Sequence, residues 1–208
     1  MTLSISHRVS LTCVLAGLAL LGAAAPARAI PIPYSALLTG PAEVPTNASP
    51  GIGQALVVID TTPGVDTLFV NVTFSGLIGT TTASHIHAAT STPFAGIAGV
   101  ATTTPTFTGF PLGVTSGVYT HLFDLTLASS YNPSYISANG GTPASAEAAL
   151  AAAMAAGESY LNIHSTFATG GEIRGFLAPA SIPEPVTAGT SLLALAGLGL
   201  AALRRSRA

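Results

Sequence analysis

His85 and His87 stand two residues apart around Ile86 in a threonine-rich, β-branched stretch, and His164 follows Asn162 and Ile163 in a second stretch of the same kind. In a strand, positions i and i+2 project from one face. His85 and His87 therefore share a face while Ile86 turns to the core, and Asn162 and His164 do the same around Ile163. If these strands are neighbours or face each other, three imidazoles converge. Three neutral imidazoles suit copper or zinc, and a free coordination position leaves room for water or a small oxidant. The competing reading is structural: half-buried histidines hydrogen-bonded so that they tie loops to strands. His121, beside Thr120 on a further strand, is either a surface or packing residue or a fourth ligand.

Glu172 and Arg174 read as a second pair on one strand face. Arg174 is the one cation of the central region, so it is expected to pair with Glu172 or Glu43 and fix the last strand against the first. The functional alternative is an anion-binding arginine beside the histidines. Ser84 and Ser165 each adjoin a histidine, but adjacent strand residues point to opposite faces, so neither forms a Ser-His pair by itself. The sequence has no lysine and no Gly-rich phosphate loop, so nucleophilic and phosphate-loop chemistry have little support and a non-catalytic role is favoured over an enzyme.

The elements that must position these residues lie between two addressing segments of the 208-residue chain. At the start, Arg8, an apolar run from Val9 to Ala25 and the small-x-small triplet Ala27-Arg28-Ala29 predict a signal peptide over 1–29, cut by signal peptidase. At the end, 181–208 carries Pro183-Glu184-Pro185, an apolar segment over 186–203 and a basic end over 204–208 with Arg204 and Arg205. The apolar segment is long enough to span a bilayer, with the arginines holding its end in the cytoplasm. These three parts in order resemble the PEP-CTERM sorting tail of Gram-negative bacteria. The resemblance implies a transient inner-membrane anchor, cut near the Pro-Glu-Pro motif by an exosortase, and a final place in the envelope or outside the cell. A permanent C-terminal anchor is the alternative.

Between them, residues 30–180 hold Arg174 against Glu43, Asp60, Asp66, Asp124, Glu147, Glu158 and Glu172, a formal charge of −6. Such a surface cannot neutralise a phosphate backbone, which excludes nucleic acid as a partner. The only cysteine, Cys13, leaves with the signal peptide, so the mature domain has neither disulfide nor thiol chemistry.

Turn residues punctuate this region every ten residues or so, between short β-branched runs. Strands are predicted over 34–39, 53–60, 67–75, 83–88, 117–127, 160–164 and 172–177, with Pro63-Gly64 turning one hairpin. One short helix is expected over 145–156, with Thr142 as N-cap, Pro143 at its first position and Gly157 ending it. The threonine-rich stretches at 80–82 and 102–104 read as loops or edges.

Four blocks in order, Tyr34 to Pro45 with its Glu43-Val44-Pro45, His85-Ile86-His87, Tyr160 to Ser165, and Gly170 to Gly175, resemble the CHRD domain, named for the extracellular protein chordin and common in exported bacterial proteins. The resemblance spans nearly all of 34–177. It implies an immunoglobulin-like antiparallel β-sandwich and an extracellular setting, with no reaction attached. Chordin's growth-factor binding does not carry over, because no motif here corresponds to a binding surface for it. The expected role is a binding or structural module whose partner is an exopolysaccharide or an envelope protein, with a copper- or zinc-binding, redox-active protein as the alternative. The His-x-His strand with a distant third histidine also resembles the copper site of copper-zinc superoxide dismutase, but this chain lacks that family's cysteine pair and bridging-histidine zinc loop.

Overall fold

The computed structural model describes residues 30–180. The expected signal peptide at 1–29 and sorting tail at 181–208 lie outside the described residues. Among the described residues no helix is long and apolar enough to cross a membrane.

Eight strands follow one another: β1 Ile32–Thr39, β2 Ile52–Asp60, β3 Thr67–Ser75, β4 Thr81–His87, β5 Gly117–Asp124, β6 Tyr160–Ser165, β7 Ile173–Phe176 and β8 Ala178–Pro179. All seven expected strands form, most within a residue or two of the expected limits. The short β8, which pairs with Tyr34 and Ser35 of β1, adds to them. Period-2 alternation explains the core. Tyr34, Ala36 and Leu38 of β1, Ala55, Val57 and Ile59 of β2, and Leu68, Val70, Val72 and Phe74 of β3 are all buried on one face.

The all-β, antiparallel, sandwich-like expectation holds, and the structure adds that the strands form one continuous sheet. One antiparallel ladder runs unbroken in the order β4-β6-β7-β1-β2-β3-β5. The sheet curls into a half-barrel, and its ends approach each other where the Thr81 N–H donates to the Val114 carbonyl (2.8 Å) and the Gly113 N–H to the Thr81 carbonyl (2.9 Å). The core is thus sandwich-like while the hydrogen bonding is that of a single sheet. The four-residue β7 bridges the two halves, and Gly175 lets it approach β1. A Cβ there would stand 2.3 Å from the Leu37 carbonyl oxygen, closer than any side chain permits.

Two helices stand where one was expected. The longer, α2 Pro143–Ala155, starts in a capping box in which the Thr142 hydroxyl accepts from the Ser145 N–H (3.2 Å) and the Ser145 hydroxyl from the Thr142 N–H (3.2 Å). Its Leu150 and Met154 are fully buried in the common core. The missed helix, α1 Pro133–Ala138, is a six-residue turn capped by Asn132, whose side chain accepts from the Ser134 N–H (3.0 Å). It is too short to show periodicity, although Asn132-Pro133 is a legible start signal.

Before β7 the chain buries Glu172 completely, away from any cation. Its carboxylate accepts from the Ser49 hydroxyl (2.6 Å), the Ile78 N–H (2.5 Å), the Gly79 N–H (3.2 Å) and the Ser165 hydroxyl. The expected Glu172–Arg174 pairing is therefore corrected: four neutral donors take the place of the guanidinium. Burial alone would raise this carboxyl, but the donors outweigh it and hold it below the ordinary value. Replacing Glu172 with Gln turns an NH2 toward a donor and strands at least one buried group. Urea unfolding should show a loss of about 2–4 kcal/mol. Because the native carboxyl titrates below its unfolded value, this stabilisation is full above the unfolded pKa and fades as pH falls through the lower native one. The deficit of the variant should therefore shrink in acid.

Candidate metal centre

The antiparallel pairing of β4 with β6 sets His85 opposite Asn162, His87 opposite Tyr160 and Ala83 opposite His164. His164 is thus the diagonal neighbour of His85, on the face that the core leaves free. The ring centroids of His85 and His164 lie 5.2 Å apart, those of His85 and His87 5.8 Å, and those of His87 and His164 6.2 Å. One ring nitrogen from each histidine falls within 4.8 Å of the others. The convergence expected from i, i+2 spacing is present, supplied by adjacent strands.

Each ring is held from behind by a backbone carbonyl. His85 Nε2 faces the Pro105 carbonyl at 2.6 Å, His87 Nδ1 that of Ala98 at 2.9 Å, and His164 Nδ1 that of Thr169 at 2.8 Å. A carbonyl only accepts, so each of these nitrogens carries the proton of a neutral imidazole, leaving the lone pair on the other nitrogen. Those lone-pair atoms are Nδ1 of His85 and Nε2 of His87 and His164. The first and third lie 3.3 Å apart, while Nε2 of His87 is buried with no hydrogen-bond partner.

Burial keeps the rings neutral. It pushes His85 down to about 4 against the opposing Pro105 carbonyl, with His164 and His87 adding repulsion. It also lowers His87 and His164, each against the carbonyl that its ring faces. The covering is the long segment between β4 and β5, whose residues 98–107 run along the open edge of β4. The Ala88 N–H donates to Gly99 (3.2 Å), Ala101 to Ile86 (2.9 Å) and Phe107 to Ser84 (3.0 Å). The hydroxyls of Thr102 and Thr106 accept from the N–H groups of Ile86 and Ser84, both at 3.0 Å, where a neighbouring strand would offer carbonyls.

Arg174 lies beside the cluster, on β7 opposite Asn162. Of its two expected partners it takes Glu43, at 3.7 Å between Nε and Oε2. Its donors go to carbonyls: Nε–H to Ala42 (2.5 Å) and an Nη1 proton to Gly96 (3.1 Å). The guanidinium carbon lies 4.7 Å from the Tyr160 ring centroid, and Tyr160 stacks on His87 at 4.8 Å. With these contacts Arg174 clamps loops over the histidines instead of offering itself to an anion. His121 is not brought to the cluster. It sits on β5 with its ring 4.4 Å from that of Phe123, in its packing role.

The parts that sequence reasoning missed are the carbonyls of Ala98, Pro105 and Thr169 and the stacked Tyr160. A backbone acceptor leaves no side-chain signature, so only the fold reveals the first three. Tyr160 was legible as i−2 of Asn162 on the same face.

The pH response of the metal-free fold follows by linkage. His85 titrates near 4 in the fold against 6.5 unfolded, so the native state binds fewer protons in that window and acidification through it destabilises; His87 and His164 act in the same direction. Glu43 opposes them. Burial, against Arg174 and the Val44 N–H, raises it from 4.5 to about 7, so its contribution is full below 4.5 and is lost as pH rises through about 7. Melting temperature followed by circular dichroism should fall from pH 6.5 to 4. Glu43→Gln should gain on the wild type as pH rises from 4.5 to 7, and a pH-independent difference between the two would contradict this assignment of Glu43.

No curated protein and no solved structure matches this chain. The model of one family, the CHRD domain, matches residues 34–177, from the buried Tyr34 of β1 to the buried Leu177 after β7, and so covers the curled sheet and all three histidines. The chain belongs to the CHRD domain family.

Proposed function

We propose that the protein is an exported, non-catalytic binding and structural module of the cell envelope or extracellular matrix, and that it docks a neutral exopolysaccharide on the outer face of β1, β2, β3 and β5. Membership of the CHRD family supports the binding role. The observation that carries the choice of partner is the composition of that face. Across the register lie the rows Thr39-Ile52-Ser75, Leu37-Gln54-Thr73-Val118, Ser35-Leu56-Asn71-Thr120 and Pro33-Val58-Phe69-Leu122. None carries a charge; acids return only in the end row, at Asp60 and Asp124. Leu37 and Leu122 are exposed by 57% and 60%, interleaved with amides and hydroxyls. Apolar patches between neutral donors and acceptors suit the CH faces and hydroxyls of an uncharged sugar chain, whereas an anionic polymer finds no cation to bind.

Delivery follows from the terminal segments. Signal peptidase releases 1–29, the apolar 186–203 holds the chain in the inner membrane, and an exosortase cuts near Pro183-Glu184-Pro185, ahead of Arg204 and Arg205. Intact-mass measurement of protein recovered from the producing cells should give an N-terminus at Ile30 and no residues 204–208; a retained arginine end would overturn the exosortase step.

For the docking face, cosedimentation with an insoluble neutral β-glucan should retain the wild type and lose Gln54→Arg and Thr73→Arg, whose long charges stand on an exposed sheet without entering the core. Retention by an envelope protein with the glucan unbound, or equal retention of both variants, would overturn the polysaccharide assignment.

A further inference from the structure

The histidine cluster has an electrostatic property that a purely structural role does not explain. The lone pairs of His85 Nδ1 and His164 Nε2 face each other across 3.3 Å. Two acceptors at that distance repel unless something positive lies between them. Nε2 of His87 is buried with no hydrogen-bond partner of good geometry, its polar side-chain neighbour being Asn162, whose own side-chain oxygen is buried and unsatisfied. Leaving such acceptors bare costs about 1–3 kcal/mol each. Two nitrogens bound at about 2.0–2.1 Å to one tetrahedral ion lie roughly 3.3–3.4 Å apart. That pair needs no rearrangement, whereas the His87 nitrogen, within 4.8 Å of the other two, closes in on loading.

We infer that Nδ1 of His85 and Nε2 of His87 and His164 together bind one copper or zinc ion, with a fourth position left for water or a small ligand. The remote N–H of every ring already donates to a carbonyl, which fixes tautomer and orientation as outer partners of metal-bound histidines do. Three nitrogens with no carboxylate favour copper or zinc over calcium or magnesium. His164 is the least buried of the three and marks the side from which an ion enters. The inference goes beyond sugar docking and does not rest on it, since the two sites use different parts of the sheet.

The test uses the full-length chain in detergent, stripped with a chelator and titrated calorimetrically with Zn2+ and separately with Cu2+. One equivalent is expected, with no heat from Ca2+ or Mg2+. His87→Ala and the double variant His85→Ala/His87→Ala should bind more than roughly 100-fold more weakly, beyond the 10–100-fold typical of losing an outer partner. His121→Ala should bind like the wild type. Equal affinity in wild type and double variant overturns the site. Because a variant can fail through misfolding, the wild type is also read directly. Copper paramagnetic resonance should show splitting from three nitrogens, and hydrogen exchange should slow around Ala98, Pro105 and Thr169 on loading. An oxygen-dominated copper spectrum, or unchanged exchange there, overturns the proposal even if glucan retention succeeds.

Discussion

The fold depends on a buried carboxylate that has no counter-ion. Glu172 replaces solvation with donors from three other parts of the chain: Ser49 ahead of β2, Ile78 and Gly79 ahead of β4, and Ser165 at the end of β6. A charge buried with fewer partners would be expelled or protonated. Its hydrogen bonds therefore fix where three loops meet at one end of the half-barrel. The turn joining β6 to β7 lies between Ser165 and Glu172, and within it stands Thr169, whose carbonyl orients His164. The geometry of the candidate centre thus depends on a group that touches no histidine.

The sheet has two outer faces with opposite fates. Over β1, β2, β3 and β5 the outward side chains remain in solvent. Over β4 and β6 they are covered by the long segment before β5. Histidines on the first face would titrate freely and serve no particular geometry; on the second, burial keeps them neutral and carbonyls keep them aimed. Covering also protects the sheet edge, since residues 98–107 occupy the free side of β4 and two threonine hydroxyls complete the ladder there.

Arg174 joins these themes. Its ion pair with Glu43 is long for a buried pair, so most of its effect comes through carbonyls of Ala42 and Gly96 and through the ring of Tyr160. Guanidinium is suited to such a junction because its planar donors diverge while its face stacks. The guanidinium holds the covering segment down at Gly96, two residues from the carbonyl that orients His87.

The sequence by itself determined the strand positions, the inward face of each strand, the capped α2 and the pairing of His85 with His87. All of these rest on local periodicity and local hydrogen bonding, which neighbouring residues encode. The family was legible in four short blocks for the same reason. Tertiary structure alone decided that the ladder closes into one curled sheet, since that depends on the approach of β7 to β1 at Gly175. It also decided that Arg174 takes Glu43 and not Glu172, because strand parity says nothing about which loops fold over a side chain. The position of His164 one diagonal from His85, and the placing of His121 in a packing role, belong to register and sheet order. Register is set by contacts between residues some eighty positions apart, and no local pattern carries that information.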